Sequence, residues 1–402
     1  MIDSGDTAWV LACSALVLLM TPGLAFFYAG LGRSKNASAT IMYSFMAMGI
    51  VSVVWVLWGY TLAFGPDVGG FIGGLDHLGL AGVSAVESTM GLTIPDQAFM
   101  IFQAMFAIIT PALITGAFAE RMKFSTYCVF IILWVTLVYA PVAHWVWGGG
   151  WLQGLGALDF AGGTVVHINS GVAALAAALL IGRRVGFGRE PMEPHNVPFV
   201  VLGAGLLWFG WFGFNAGSAL AADGTAVNAF VVTNTAAGAS AVTWLVMTWI
   251  FGSKPSVVGA ASGAVAGLVA ITPAAGFVGP LPAIIIGVGA GVICYLCVQL
   301  LWKYQVDDAL AVWGVHGMGG TWGALATGLF VGMGFSALPV GTSQLDQVMT
   351  QLVGIGATWV WSFVVTALIL LALKYTMGLR VSEEEEESGL DVAEHAEPAY
   401  RL

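Results

Sequence analysis

Of the chain's 402 residues, 58% are hydrophobic and 8% are charged, and the mean hydropathy is +0.90. Soluble domains carry about a quarter charged residues, so a water-facing surface is excluded and lipid becomes the solvent in which this composition is stable. The net charge of −10 carries little meaning for binding, because five acids form one run, Glu383 to Glu387, in a tail expected to be solvated.

A span of the ~30 Å hydrocarbon core needs about 20 mainly apolar residues. Runs of that kind fall near 7–31, 38–64, 98–119, 124–141, 162–182, 197–220, 226–252, 256–273, 280–302, 309–333 and 350–377, eleven in all. The flank MIDSGDTAW holds two acids and no basic residue, which predicts an uncleaved first span. The 12 Lys and Arg residues, from Arg33 and Lys35 to Arg380 and Arg401, all fall after odd-numbered spans. By the positive-inside rule the N-terminus lies outside and the C-terminus in the cytoplasm. The 55 glycines fit close helix packing, as in Gly259-x-x-x-Gly263-x-x-x-Gly267 and Gly287-x-Gly289-x-Gly291. Cys294 and Cys297 form a C-x-x-C inside an apolar run, and there, as at Cys13 and Cys128, thiols act as small apolar residues.

Eleven spans divide as two inverted repeats of five plus one. Span 5 carries Val166-His167-x-x-x-Gly171 and span 10 carries Val315-His316-x-x-x-Gly320. Span 1 carries Phe27-Tyr28-Ala29-Gly30 and span 6 carries Phe214-Asn215-Ala216-Gly217. The expected organisation is an all-α polytopic membrane domain over 1–378, with repeats at 7–182 and 197–333, an extra helix at 350–377 and a cytoplasmic regulatory tail at 379–402.

An ionisable group at membrane depth is costly, so His167 and His316 are the leading functional candidates. If they meet at the pseudo-two-fold axis, one ring nitrogen donates to the other and an apolar lumen gains polar contacts without fixed charge. No Cys, Asp or Glu accompanies either histidine in its span, which argues against a metal. Asp159, eight residues before His167, reads as a helix cap or as support for an outer cation site. Asp307 and Asp308 open span 10 and read as caps. Aromatic and small polar residues cluster at Phe102-Gln103-x-x-Phe106, at Trp147 and at Trp211, Phe214 and Ser218, where aromatic faces attract a partly dehydrated cation. No nucleophile–base set, phosphate loop or metal-ligand spacing is present, so the chain does not read as an enzyme.

The segments TPGLAFFYAGLGRSKN, GAFAERMKF, LDFAGGTVVHINSG, LLWFGWFGFNAGSA, DDALAVWGVHGMGG and GLRVSEEEEESGLDVAEHAEPAY resemble the ammonium transporter (Amt/Mep/Rh) family, on its Amt branch, along essentially the whole chain. The resemblance implies a homotrimer in the cell membrane, each subunit having its own hydrophobic pore. It places Trp147, Phe106 and Ser218 at an external ammonium recruitment site supported by Asp159, with Phe106 and Phe214 as a gate. His167 and His316 become the pore's twin histidines, and Phe102, Tyr28 and Trp211 line the same route. It also implies a PII-type signalling protein as partner of the tail. Two positions depart from the family pattern: Ala311 stands where an aspartate is common, and Trp313 where a phenylalanine is common. The expected activity is ammonium transport, as the neutral amine with a separately relayed proton. The competing readings are an ammonium sensor with little flux, whose relatives usually carry an output domain after the last helix, and a neutral-solute channel.

Overall fold

The computed structural model describes residues 1–251 and 254–400. Helices form at every predicted span: α1 (Ser4–Leu31), α2 (Ser34–Phe64), α3 (Asp96–Phe118), α4 (Phe124–Gly154), α5 (Gly163–Ile181), α6 (Val197–Ala219), α7 (Gly224–Ile250), α8 (Val257–Ile271), α9 (Pro280–Lys303), α10 (Trp313–Gly317 continuing as Met318–Phe330) and α11 (Gln344–Thr376). Among the described residues, nine of these are long and apolar enough to cross a membrane; α8 is a shorter apolar helix, and α10 is the other outside that set. The protein is a helical polytopic membrane protein.

Boundaries shift where local chemistry is stronger than hydropathy. The main rod of α4 runs on to Trp147, past the predicted end at 141. Span 10 starts later than 309, because Ala311 has a left-handed φ of 56° that helix cannot contain. The final residue of the span predicted at 226–252 lies outside the described residues. In the outer loop, a hairpin absent from the sequence reading pairs Asp67 with Gly73 and Val68 with Ile72.

Glycine sets the packing, as the composition suggested. Helices α1 and α6 run antiparallel along a seam where Gly23 meets Leu206, Gly203 meets the Phe27 backbone, and Gly213 meets Leu16 and Cys13. Gly263 and Gly267 of α8 and Gly287 and Gly291 of α9 press on α7 at Trp244, Ala236 and Thr243. A Cβ at these glycines would overlap the neighbour, so only glycine lets the backbones approach this closely.

The tail is not the detached, solvated segment expected from its charge. Two short helices, α12 (Glu383–Ser388) and α13 (Leu390–Ala393), dock under the bundle. Glu386 is fully buried: its carboxylate accepts from the Arg380 guanidinium and the Val185 N–H. Lys35 donates to the Glu386 and Glu387 carbonyls, and Asp391 accepts the Ala39 N–H. A hydrogen-bonded ion pair makes the burial of Glu386 affordable, and hydropathy alone does not register such a pair.

Candidate functional site

His167 and His316 each lie in a wide π-helical turn, Gly163–Ile168 and Trp313–Gly317, at the start of α5 and α10. Such turns recur at functional sites because they redirect one side chain without ending the helix. Both turns are entered through a left-handed residue, Gly162 (φ 113°) and Ala311 (φ 56°). Both are capped by the carboxylate eight residues before the histidine. Asp159 accepts from the N–H groups of Gly162, Gly163, Thr164 and Val165, and Asp308 accepts from Trp313 at 2.7 Å. The equal Asp–His spacing in the two halves was available in the sequence and went unread. Of the two aspartates opening span 10, only Asp308 caps; Asp307 instead binds the Arg184 guanidinium at 2.8 Å.

The histidine rings meet at the crossing of α5 and α10. Their Nδ1 atoms are 3.2 Å apart, the ring centroids 5.3 Å apart, and both side chains are buried. One Nδ1 therefore donates and the other accepts, which fixes opposite tautomers in the neutral pair. His167 Nε2 is buried with no hydrogen-bond partner. The indole of Trp211 stacks on His167 at 5.3 Å and donates to Thr272 Oγ1 at 2.8 Å.

Around the pair is a cavity of about 10 Å³ walled by Leu24, Ile109, Leu113, Trp211 and Phe214, room for a single water at most. On one side of the cavity Phe106 and Phe214 pack together, their rings tilted by 50° with centroids 4.4 Å apart. Beyond them opens a vestibule of about 250 Å³ lined by Phe106, Trp147, Asp159, Ser218, Phe99 and Gln103. Trp147 donates to the Asp159 carbonyl at 2.8 Å and Ser218 Oγ to the Phe214 carbonyl at 2.8 Å, leaving the hydroxyl's lone pairs uncommitted. Four backbone N–H groups occupy both Asp159 oxygens, so this carboxylate holds the turn beside the vestibule. Phe102 is fully buried behind Phe106, centroids 4.9 Å apart, and backs the wall of the vestibule. On the opposite side a second vestibule of about 240 Å³ reaches His316, with Phe27, Tyr28 and Ala311 in its wall. The Tyr28 hydroxyl donates to the Leu113 carbonyl at 3.0 Å.

The sequence reading did not see the ion cluster that braces the helix ends on the side of the second vestibule. Glu120 binds Arg33 at 2.6 Å and Arg184 at 3.4 Å, and Arg121 donates to the Asp307 carbonyl. Burial pushes the Glu120 carboxyl up, but Arg184 and Arg33 outweigh it and hold the group below the usual carboxylate range. Among the described residues no three of His, Cys, Asp and Glu gather as metal ligands.

The sequence model of the Ammonium Transporter Family matches residues 8–400. The chain is 52% identical to an ammonium transporter of Bacillus subtilis (strain 168), over 99% of this chain and 98% of that one. It is 49% identical to ammonium transporter Amt1 of Archaeoglobus fulgidus, over 99% of this chain and 100% of that protein. Among solved structures, Candida albicans Mep2 matches with a TM-score of 0.89 at 40% identity, covering 96% of this chain and 88% of that chain. A sensor Amt protein matches with a TM-score of 0.91 at 32% identity, covering 97% and 98%. Two vestibules joined by a closed, histidine-bearing lumen are thus set in a sequence matched from end to end, and the chain belongs to the ammonium transporter family.

Proposed function

We propose that this protein, a homotrimer in the cell membrane with its N-terminus outside, recruits ammonium in the outer vestibule and passes it through each subunit's histidine-lined lumen as the neutral amine, with the proton relayed separately. The observation that carries this reading is the 3.2 Å Nδ1–Nδ1 contact inside a lumen of about 10 Å³. An ion entering so narrow and apolar a passage loses its hydration at a cost of many kcal/mol. Potassium has no escape from that cost. Ammonium does, since it can leave its proton behind and cross uncharged.

Outside the gate, the faces of Phe106 and Trp147 offer cation–π attraction, and the Ser218 hydroxyl offers lone pairs to an N–H donor. In the lumen, a neutral histidine pair supplies one donor and one acceptor chain along which a proton can hop while the amine passes. The docked tail, residues 379–402, serves as a regulatory element open to a PII-type protein; residues 401–402 lie outside the described chain.

The test is solid-supported-membrane electrophysiology on proteoliposomes given an ammonium pulse, with potassium as control. The expected result is a transient current for ammonium alone, lost when both histidines are replaced by leucine. Undiminished selective current in the double variant overturns the mechanism. A second reading, ammonium sensing with little flux, is favoured by the likeness to the sensor Amt protein. Saturable ammonium binding without measurable current in the wild type would establish it.

A further inference from the structure

His144 is fully buried on α4, one helical turn before Trp147, and plays no part in the pore described above. Its two ring nitrogens face two acceptors. Nδ1 lies 2.9 Å from the Ala63 carbonyl at the end of α2, and Nε2 lies 2.9 Å from Asp67 Oδ1 on the outer hairpin. A neutral imidazole has one N–H and can donate to only one of them; the imidazolium donates to both. In the neutral ring a nitrogen lone pair would therefore face an oxygen at 2.9 Å.

The hairpin held by this contact reaches the residues on both sides of Trp147. The Phe71 carbonyl accepts from the Trp145 indole, and the Gly70 carbonyl accepts the Trp151 N–H. The His144 carbonyl accepts both Gly148 N–H and Gly150 N–H, so it shapes the turn that follows Trp147. Gly148 fits here only because it lacks a side chain: a Cβ would sit 2.0 Å from the Ala63 carbonyl oxygen. Among the described residues the ring's ion-pair partner is Asp67, and Ala63 and Gly148 approach it through backbone. His77, on the same loop, bonds instead to the Ala81 carbonyl. The Asp67 carboxyl is held below the usual range by its hydrogen bond to His144 and by the Gly70 N–H.

From this geometry we infer that His144 and Asp67 form a latch on the outer face which positions Trp147, so that breaking their contact weakens ammonium recruitment. His144 is a positioning residue: it touches no solute and acts through the turn that carries Trp147. The inference rests on the proposed recruitment role of the outer vestibule.

Asp67→Asn is the informative variant. Its amide N–H donates to Nε2 of a neutral ring whose Nδ1–H donates to Ala63, so both contacts survive without a charge. Its oxygen can still accept the Gly70 N–H. The Asp67 side chain is 42% exposed on the hairpin, so the substitution is expected to leave the fold intact.

Two measurements are made at one pH on wild type, Asp67→Asn and Asp67→Ala. One is the half-saturating concentration of the ammonium-evoked current; the other is backbone hydrogen exchange of residues 65–76 and 144–152. Asp67→Ala is expected to raise half-saturation by roughly threefold or more, with exchange rising in parallel, and Asp67→Asn, which keeps both contacts, to match the wild type in both. Asp67→Ala superimposable on the wild type in both measurements overturns the latch, as does Asp67→Asn shifted as far as Asp67→Ala. Exchange that follows the prediction while half-saturation is unchanged leaves the latch standing and overturns the recruitment role assigned to Trp147.

Discussion

Gly171 and Gly317 meet where no side chain fits: a Cβ on Gly171 would stand 2.1 Å from the Gly317 backbone nitrogen and 2.3 Å from its Cα. Gly320, four residues after His316, repeats the arrangement from the other half, with its Cβ position 2.7 Å from the Gly163 carbonyl oxygen and 3.0 Å from the His167 Cβ. The glycine at the fourth position after each histidine thus lets α5 and α10 cross closely enough for the rings to meet. Distance between the histidines is a property of these glycines as much as of the histidines themselves.

It follows that Gly171→Ala should separate the two helices and break the Nδ1–Nδ1 contact. Backbone rather than a flexible side chain opposes the added methyl, so the cost belongs at the upper end of the usual overpacking range, about 3 kcal/mol. Thermal unfolding in detergent should move down by several degrees, and ammonium-evoked current should fall at least roughly tenfold even in the folded fraction. Gly238, with open space beside it, is the control position: Gly238→Ala should change neither.

Phe214 closes the outer end of the lumen and lies 5.9 Å from the His167 ring. Replacing it by alanine leaves a void next to a lumen of about 10 Å³, large enough for water to enter beside polar partners. On the proposed mechanism, the desolvation that separates ammonium from potassium would then weaken. Phe214→Ala is expected to lower ammonium-over-potassium selectivity of the current by about tenfold, or ~1.4 kcal/mol. Retained selectivity would place discrimination elsewhere than at the gate.

Much of this arrangement was legible before any coordinates, and the parts that were not share a physical cause. Helices formed at every predicted span because burial in lipid imposes long apolar runs, and the two histidines stood out because polar groups are rare there. The Val-His-x-x-x-Gly echo placed both histidines in the repeat, yet it did not explain the glycine; only the crossing of α5 and α10 gives Gly171 a neighbour. Glu386 was misread as solvated, since its partners Arg380 and Val185 N–H are brought to it by the fold. The same holds for Asp307, between α9 and α10, which pairs with Arg184 at the start of the inter-repeat loop and does not cap. Asp67 and His144 are separated by 77 residues, and nothing local marks them as partners.

Ala311, the departure from the family pattern, has a conformational meaning. Its φ of 56° lies in the left-handed region, which costs an alanine about 1 kcal/mol and suits Gly, Asn or Asp better. An aspartate at this position would therefore be compatible with the backbone regardless of any chemistry it performs. Ala311→Gly and Ala311→Asn are expected to raise thermal stability, by up to about 1 kcal/mol, with ammonium current unchanged. Ala311→Val should lower stability, because a β-branched residue tolerates this φ least. If all three substitutions shift the melting temperature equally, backbone strain at 311 is not the reason.

Glu120 supplies the clearest pH dependence in the ion cluster. Its carboxyl is 1% exposed and lies between the Arg33 and Arg184 guanidinium groups. Burial opposes its charge, but the two cations win, and the folded pKa falls below the unfolded value of about 4.3. For a depressed carboxyl the stabilisation is complete above the unfolded pKa and disappears as pH falls through the folded pKa. The cluster should therefore be indifferent to pH between 6 and 8 and weaken only on acidification below about 4. Glu120→Gln removes the charge while keeping the shape. It leaves Arg33 without its carboxylate and Arg184 with Asp307 alone, a break in a buried ionic network worth about 3 kcal/mol. Thermal unfolding of the variant at pH 7 should resemble that of the wild type at low pH, and the gap between the two proteins should narrow as pH is lowered. A gap that stays constant down to pH 3 would show that the carboxylate's charge contributes nothing to holding α1, α3 and the inter-repeat loop together.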